Sequence, residues 1–114
     1  MELKEAQARV DAWIRRFEEG YWPPLVNLAR LAEEVGELAR LLNHRFGPKT
    51  KKPDEAKQDL GEELADVLFV LLVMANQAGI DMEASFEHVL EKYRERDAER
   101  WVLKRIGTSS RPEA

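Results

Sequence analysis

Residues Asp59–Gly79 read DLGEELADVLFVLLVMANQAG. Four acids, Asp59, Glu62, Glu63 and Asp66, crowd against the start of a run in which only Asp66 is polar between Leu64 and Ala75. A surface helix of a small monomer keeps a polar face, so a helix this apolar is expected at the centre of an all-α fold. A chain of 114 residues has too few other helices to cover such a cylinder on every side. The stretch therefore predicts a second copy packed against it, making a homo-oligomer, either a dimer or a dimer of dimers.

The flanking sequence predicts three more helices, with no alternation of the strand type and no internal repeat. The first runs from about Glu2 to Glu19, sets Val10, Trp13, Ile14 and Phe17 at helical spacing, and stops at Gly20 before Tyr21, Trp22, Pro23 and Pro24. The second spans about Pro24–Phe46, with proline in its first turn and Gly47 and Pro48 at its end. GPKTKKPDEAK then reads as an exposed loop, and its Lys49, Lys51, Lys52 and Lys57 as solvated charges. The third helix covers about Glu55–Ala78 and ends at Gly79. Asp81 caps a fourth, Met82 to about Arg100, which turns Phe86, Val89, Leu90 and Tyr93 inward. The expected architecture is a four-helix bundle over residues 1–103, with residues 104–114 a flexible tail.

Composition narrows the function. Apolar residues make up 44% and charged residues 35%, which argues against global disorder. The absence of cysteine removes disulfides and thiolate chemistry, in keeping with a cytoplasmic protein. No basic-then-apolar leader opens the chain, and the longest apolar run, Val67–Ala75, is too short to cross a bilayer. A net charge of −4 without a basic block argues against nucleic acid as a partner.

The acids form a constellation. On an ideal helix turning about 100° per residue, Glu34 points into the apolar stripe of the second helix, between Leu38 and Leu41, while Glu37 borders it and Glu33 faces outward. Glu34 and Glu37 thus make an ExxE pair on one side. By the same rotation Glu63 and Asp66 make an ExxD pair embedded among Val70, Val73 and Met74. Unit charges about 4 Å apart repel by roughly 4 kcal/mol at an effective dielectric of about 20, so such a group needs positive charge nearby. Protons, Lys or Arg side chains, or a divalent cation can supply it. An all-oxygen donor set suits magnesium, manganese or calcium. One ExxE pair alone is ordinary solvated surface; two pairs in apolar sectors are not. A di-iron carboxylate site is disfavoured, because the residues three before His44 and His88 are Leu41 and Ser85 rather than glutamate.

EEVGEL at Glu33–Leu38 with EELADVLF at Glu62–Phe69 resembles the EExxE and ExxD signature of the MazG-like nucleoside triphosphate pyrophosphohydrolases, in the all-α NTP pyrophosphatase superfamily. The likeness extends from EGYWPPLVNLARLAEE through LVMANQAGIDMEASFEHVLEKYRERDAERW, and the short single-domain members are the nearest in form. It implies magnesium-dependent hydrolysis of a nucleoside triphosphate to the monophosphate and pyrophosphate, a nucleotide-pool house-cleaning reaction, with Mn2+ a possible substitute for Mg2+. It implies Glu34, Glu37, Glu63 and Asp66 as metal ligands and catalytic residues, and Lys92 and Arg96 as contacts to the phosphates. Glu33 and Glu62 are candidate helpers, and Asn76 matches an asparagine frequent in the family. The family's Ala-Asn ahead of the Lys-aromatic step is here Val89-Leu90, so that asparagine's role is lost or moved. Trp22 is a candidate for stacking on a base, set against a packing role at the Pro-Pro corner. Trp13 and Trp101 read as core or interface, and His44 as a helix-end residue. A dCTP, dUTP or phosphoribosyl-ATP pyrophosphatase shares the same acids, and a noncatalytic cation-binding helical dimer is the reading from another class.

Overall fold

The computed structural model describes residues 1–47, 59–98 and 100. Four helices and no strand occur among them: α1 (Leu3–Ile14), α2 (Pro24–Phe46), α3 (Leu60–Ala78) and α4 (Met82–Asp97). The loop lysines, Trp101 and the 104–114 tail lie outside the described residues. No single described helix is long and apolar enough to cross a membrane. The chain divides into two compact units, Met1–Glu83 and Ala84–Ala114.

In the first unit α3 packs against both α1 and α2. Val10 of α1 meets Leu72 and Val73 of α3 in the core, and Leu3, Ala6, Ile14, Tyr21, Phe69 and Met82 close over them. Val70 and Leu41 are also buried, at 1% and 4% exposure. Polar side chains tie the same helices. The Gln7 amide donates to Asn76 Oδ1 (3.0 Å) and to the Ile80 carbonyl (2.8 Å), and its Oε1 accepts from the Met82 N–H (2.9 Å). Asn76 in turn donates to the Gln7 carbonyl at 2.9 Å. Every polar atom of the Gln7 side chain is thereby occupied, which is what a buried amide requires.

The punctuation explains most helix ends. Pro24 opens α2, where a missing N–H costs nothing. Gly79 closes α3 in the left-handed region (φ 71°), and the Ile80 N–H reaches back to the Ala75 carbonyl at 2.9 Å, the hydrogen bond of a Schellman cap. Asp81 accepts from the Glu83 N–H at the start of α4.

Three expectations need correction. α1 ends at Ile14 rather than near Glu19. Beyond it the chain runs in tighter turns, Arg16 N–H to Trp13 O and Phe17 N–H to Ile14 O. The Tyr21 hydroxyl, folded back, donates to Asp11 Oδ1 at 2.5 Å, and that hydrogen bond with the neighbouring Arg15 holds the Asp11 carboxyl below its ordinary value. α3 begins at Leu60 rather than Glu55, because Asp59 has extended backbone and its side chain caps the helix by accepting from the Gly61 N–H at 2.8 Å. Phe86, Leu90 and Tyr93 of α4 are about half exposed in the single chain instead of inward, and α4 buries no residue.

Some of the large apolar residues left exposed on α2 and α3 are ordered. On α2, Leu28, Val35 and Leu42 recur every seven residues, and on α3, Leu64, Leu68 and Leu71 follow a four-then-three spacing. Such spacings make straight seams rather than scattered exposure.

Candidate active site

α2 and α3 bring their acids together. One carboxylate oxygen from each of Glu34, Glu37 and Glu63 lies within 4.8 Å of the others. Glu63 is buried at 8% exposure, Glu34 is half-buried and Glu37 exposed. Asp66 is half-buried one turn further along α3, outside that tightest group, and its charge acts on both Glu34 and Glu63. Loss of water, then the charges of Glu37 and Asp66, raises the Glu34 pKa above its ordinary value, while Arg30 pulls it down. Glu63 is raised by the same desolvation and by Glu37, Asp66 and Glu62. Glu62 and Glu63 lie in the first turn of α3, where the positive end of the helix dipole partly offsets this crowding.

Glu34 Oε2 and Glu63 Oε2 are buried without a hydrogen-bond partner. Two orphaned carboxylate oxygens, facing a third acid, are the donor arrangement a hard cation completes, and the residues present fit a divalent ion bound through oxygen.

Beside the acids lie two cavities that share Trp22 and Arg30. The smaller, about 270 Å³, is bordered by Val26, Glu33 and Glu34. The larger, about 350 Å³, is walled by Trp13, Phe17, Tyr21 and Phe69. Trp13 and Phe17 meet edge to face, with centroids 5.2 Å apart. Trp13 is therefore half exposed on a cavity wall rather than core. Trp22 is 40% exposed, and its carbonyl accepts from the amides of Asn27 (3.1 Å) and Gln77 (2.6 Å). The loop is anchored by its backbone, leaving the Trp22 ring to line the cavities.

The other candidates are distributed. Asn76 is brought to Gln7 rather than to the acids, as described above. His44 sits in the last turn of α2. Lys92 and Arg96 belong to the second unit, where Lys92 Nζ lies 5.8 Å and the Arg96 guanidinium 4.6 Å from the Tyr93 ring centroid. Arg96 also pairs with Asp97 at 2.8 Å. Arg30 and the aromatic wall escape a motif-based search; the signal for Arg30 is its position one turn before Glu34 on the same face.

Helices, paired carboxylates and orphaned oxygens together define an all-α protein with a metal-competent acidic site. Residues 23–101 match the MazG nucleotide pyrophosphohydrolase domain, and the chain belongs to that family. The uncharacterized protein YpjD of Bacillus subtilis (strain 168) is 48% identical over 105 residues, covering 92% of this chain and 95% of YpjD. YvdC of the same organism is 30% identical over 99 residues, 78% of this chain and 93% of its own. A crystal structure of YPJD from Bacillus subtilis superposes with TM-score 0.74 at 47% identity, over 82% of this chain and 95% of that one. The Bacillus-conserved MazG protein, a nucleotide pyrophosphohydrolase, gives 0.73 at 44%, over 88% and 97%.

Proposed function

We propose that this chain hydrolyses a nucleoside triphosphate to the monophosphate and pyrophosphate with magnesium, Mn2+ being a possible substitute, at the acids shared by α2 and α3. The observation that carries the reading is the pair of buried, partnerless oxygens of Glu34 and Glu63 within reach of Glu37. Glu34, Glu37, Glu63 and Asp66 would hold the ion. When bound, magnesium supplies charge neutralisation for the phosphates and acidifies a coordinated water.

The chain's own residues supply placement. Burial holds Glu63 rigid, and the packing of α3 on α2 fixes its distance from Glu34, so the donors are set before substrate arrives. A water oxygen forms a bond to phosphorus as the anhydride bond between the α- and β-phosphates breaks. The bridging oxygen leaves with its electron pair, and the water proton passes to a carboxylate oxygen that the ion does not occupy. Glu33, Glu37 and Glu62 are candidates for that role. The base would lie in the aromatic cavity, where Trp22 offers a stacking face. Lys92 and Arg96 would meet the phosphates. The apolar seams of α2 and α3 would be covered by a second copy, giving a homodimer or a dimer of dimers working in the cytoplasm on the nucleotide pool.

Pyrophosphate release, assayed across ordinary and modified nucleotides with magnesium present, tests the reading and separates dCTP, dUTP and phosphoribosyl-ATP from general NTP substrates. Glu63→Gln and Asp66→Asn are each expected to abolish release while helix content by circular dichroism stays unchanged. Activity retained in both variants removes the assignment. Magnesium that raises the melting temperature while no nucleotide yields pyrophosphate supports a noncatalytic cation-binding dimer instead.

A further inference from the structure

We infer that Arg30 binds the α-phosphate of the nucleotide and stabilises the charge that develops there, an inference resting on the pyrophosphohydrolase reading above. The α-phosphate is the group where nucleoside and phosphate chain join. Arg30 is placed at the corresponding junction of the protein: it borders the aromatic cavity on one side and the cavity containing Glu33 and Glu34 on the other. With a base among the aromatic rings and the polyphosphate at the acids, the linking phosphate passes this side chain.

The guanidinium is held for such a task. Its carbon lies 5.6 Å from the Trp22 ring centroid and 5.4 Å from that of Phe69, so one ring from the loop and one from α3 steady it. Ring contacts of this kind use the cation's charge and leave its N–H donors available. Among the described residues no hydrogen bond or ion pair consumes those donors. Ordering a guanidinium costs side-chain entropy, and here the rings have already imposed that cost before a ligand arrives. A planar fork with free N–H groups matches two phosphate oxygens, which a lysine cannot do. The position also answers an electrostatic need, since a polyphosphate approaching an acidic cluster requires fixed positive charge where the chain first meets it. The effect on rate does not depend on which phosphorus is attacked. If water attacks the α-phosphorus, charge builds on its own oxygens; if it attacks the β-phosphorus, the α-phosphate departs carrying the electron pair. In both cases a fixed cation at the α-phosphate gains strength in the transition state.

The wild-type assay, run first with the nucleotide panel, decides the parent reading; variants at Arg30 then decide this one. Arg30→Met retains volume between the rings, and kcat is expected to fall by about 10²–10³, the usual effect of losing one such donor. Arg30→Lys, which keeps the charge without the fork, is expected between the two, and guanidinium ion added to Arg30→Ala is expected to restore part of kcat. Binding provides a readout independent of turnover. Quenching of tryptophan fluorescence by the monophosphate of the best substrate should weaken about tenfold or more in Arg30→Met, while affinity for the free nucleoside stays at the wild-type value. Equal losses for nucleoside and monophosphate assign Arg30 to the base or to packing and overturn the inference. Unchanged monophosphate affinity together with unchanged kcat overturns it as well.

Discussion

Asn27→Leu tests the polar link between the Trp22 loop and the helices more sharply than any core truncation. Asn27 is 1% exposed on α2, and its amide donates at 3.1 Å to both the Trp22 carbonyl and Gln77 Oε1. Leucine keeps the volume close while removing both donated bonds. At about 0.5–1.5 kcal/mol net for each, the loss is about 1–3 kcal/mol, or about 4–12 °C in melting temperature at about 4 °C per kcal/mol for a domain of this size. Because Gln77 also donates to the Trp22 carbonyl at 2.6 Å, the two amides form one network. Asn27→Leu and Gln77→Leu should therefore be non-additive, with a coupling of about 0.5 kcal/mol or more. Urea unfolding by circular dichroism at one fixed protein concentration measures the singles and the double. Nucleotide affinity should fall in parallel, since the Trp22 loop loses its anchor. A variant within about 0.5 kcal/mol of wild type, the size of an ordinary surface substitution, refutes the argument.

The raised pKa values of Glu34 and Glu63 set a sign for acid and metal effects. Their contribution to folding is fully present below the ordinary value of 4.5 and is lost as pH rises through the raised folded values. Metal-free protein is thus expected to melt higher near pH 5 than near pH 8 by an amount that a Glu34→Gln/Glu63→Gln double variant lacks, while magnesium at about a hundred times its Kd should add about 2.7 kcal/mol near neutral pH; calorimetry with and without chelator reads both. The seams of α2 and α3 lead to an expected dimer or larger assembly by light scattering at micromolar concentration, and Leu28→Glu, at a position half exposed in the single chain, should shift it toward monomer. A monodisperse wild-type monomer removes that expectation.

What could be read in advance follows where the deciding force acts. The limits of α2 are written in local chemistry, Pro24 and Gly47, and the left-handed Gly79 is likewise a local stop for α3. The carboxylate pairs were legible because helical rotation alone places Glu34 with Glu37 and Glu63 with Asp66 on apolar sectors, and packing of α2 on α3 needs only those faces. The end of α1 was not, because it is decided by a residue beyond it: Tyr21 returning to Asp11. Asp59 stood out only as one of four crowded acids, and its extended backbone shows that it works as a helix cap. Trp13 illustrates a similar limit, since helical spacing cannot distinguish a residue facing packed core from one facing a cavity. Arg30 depends on two rings, Trp22 from the loop before α2 and Phe69 from α3, and no spacing along the chain encodes that.

The Gln7 linkage has a consequence for where this domain can be cut. The family match begins at residue 23, leaving all of α1 outside it. A fragment trimmed to that boundary would strip Val10 from Leu72 and Val73 and deprive Asn76, the Ile80 carbonyl and the Met82 N–H of their hydrogen bonds to Gln7. The stretch that defines kinship and the stretch that holds its shape are thus different lengths of chain. α1 is an integral part of the folding unit.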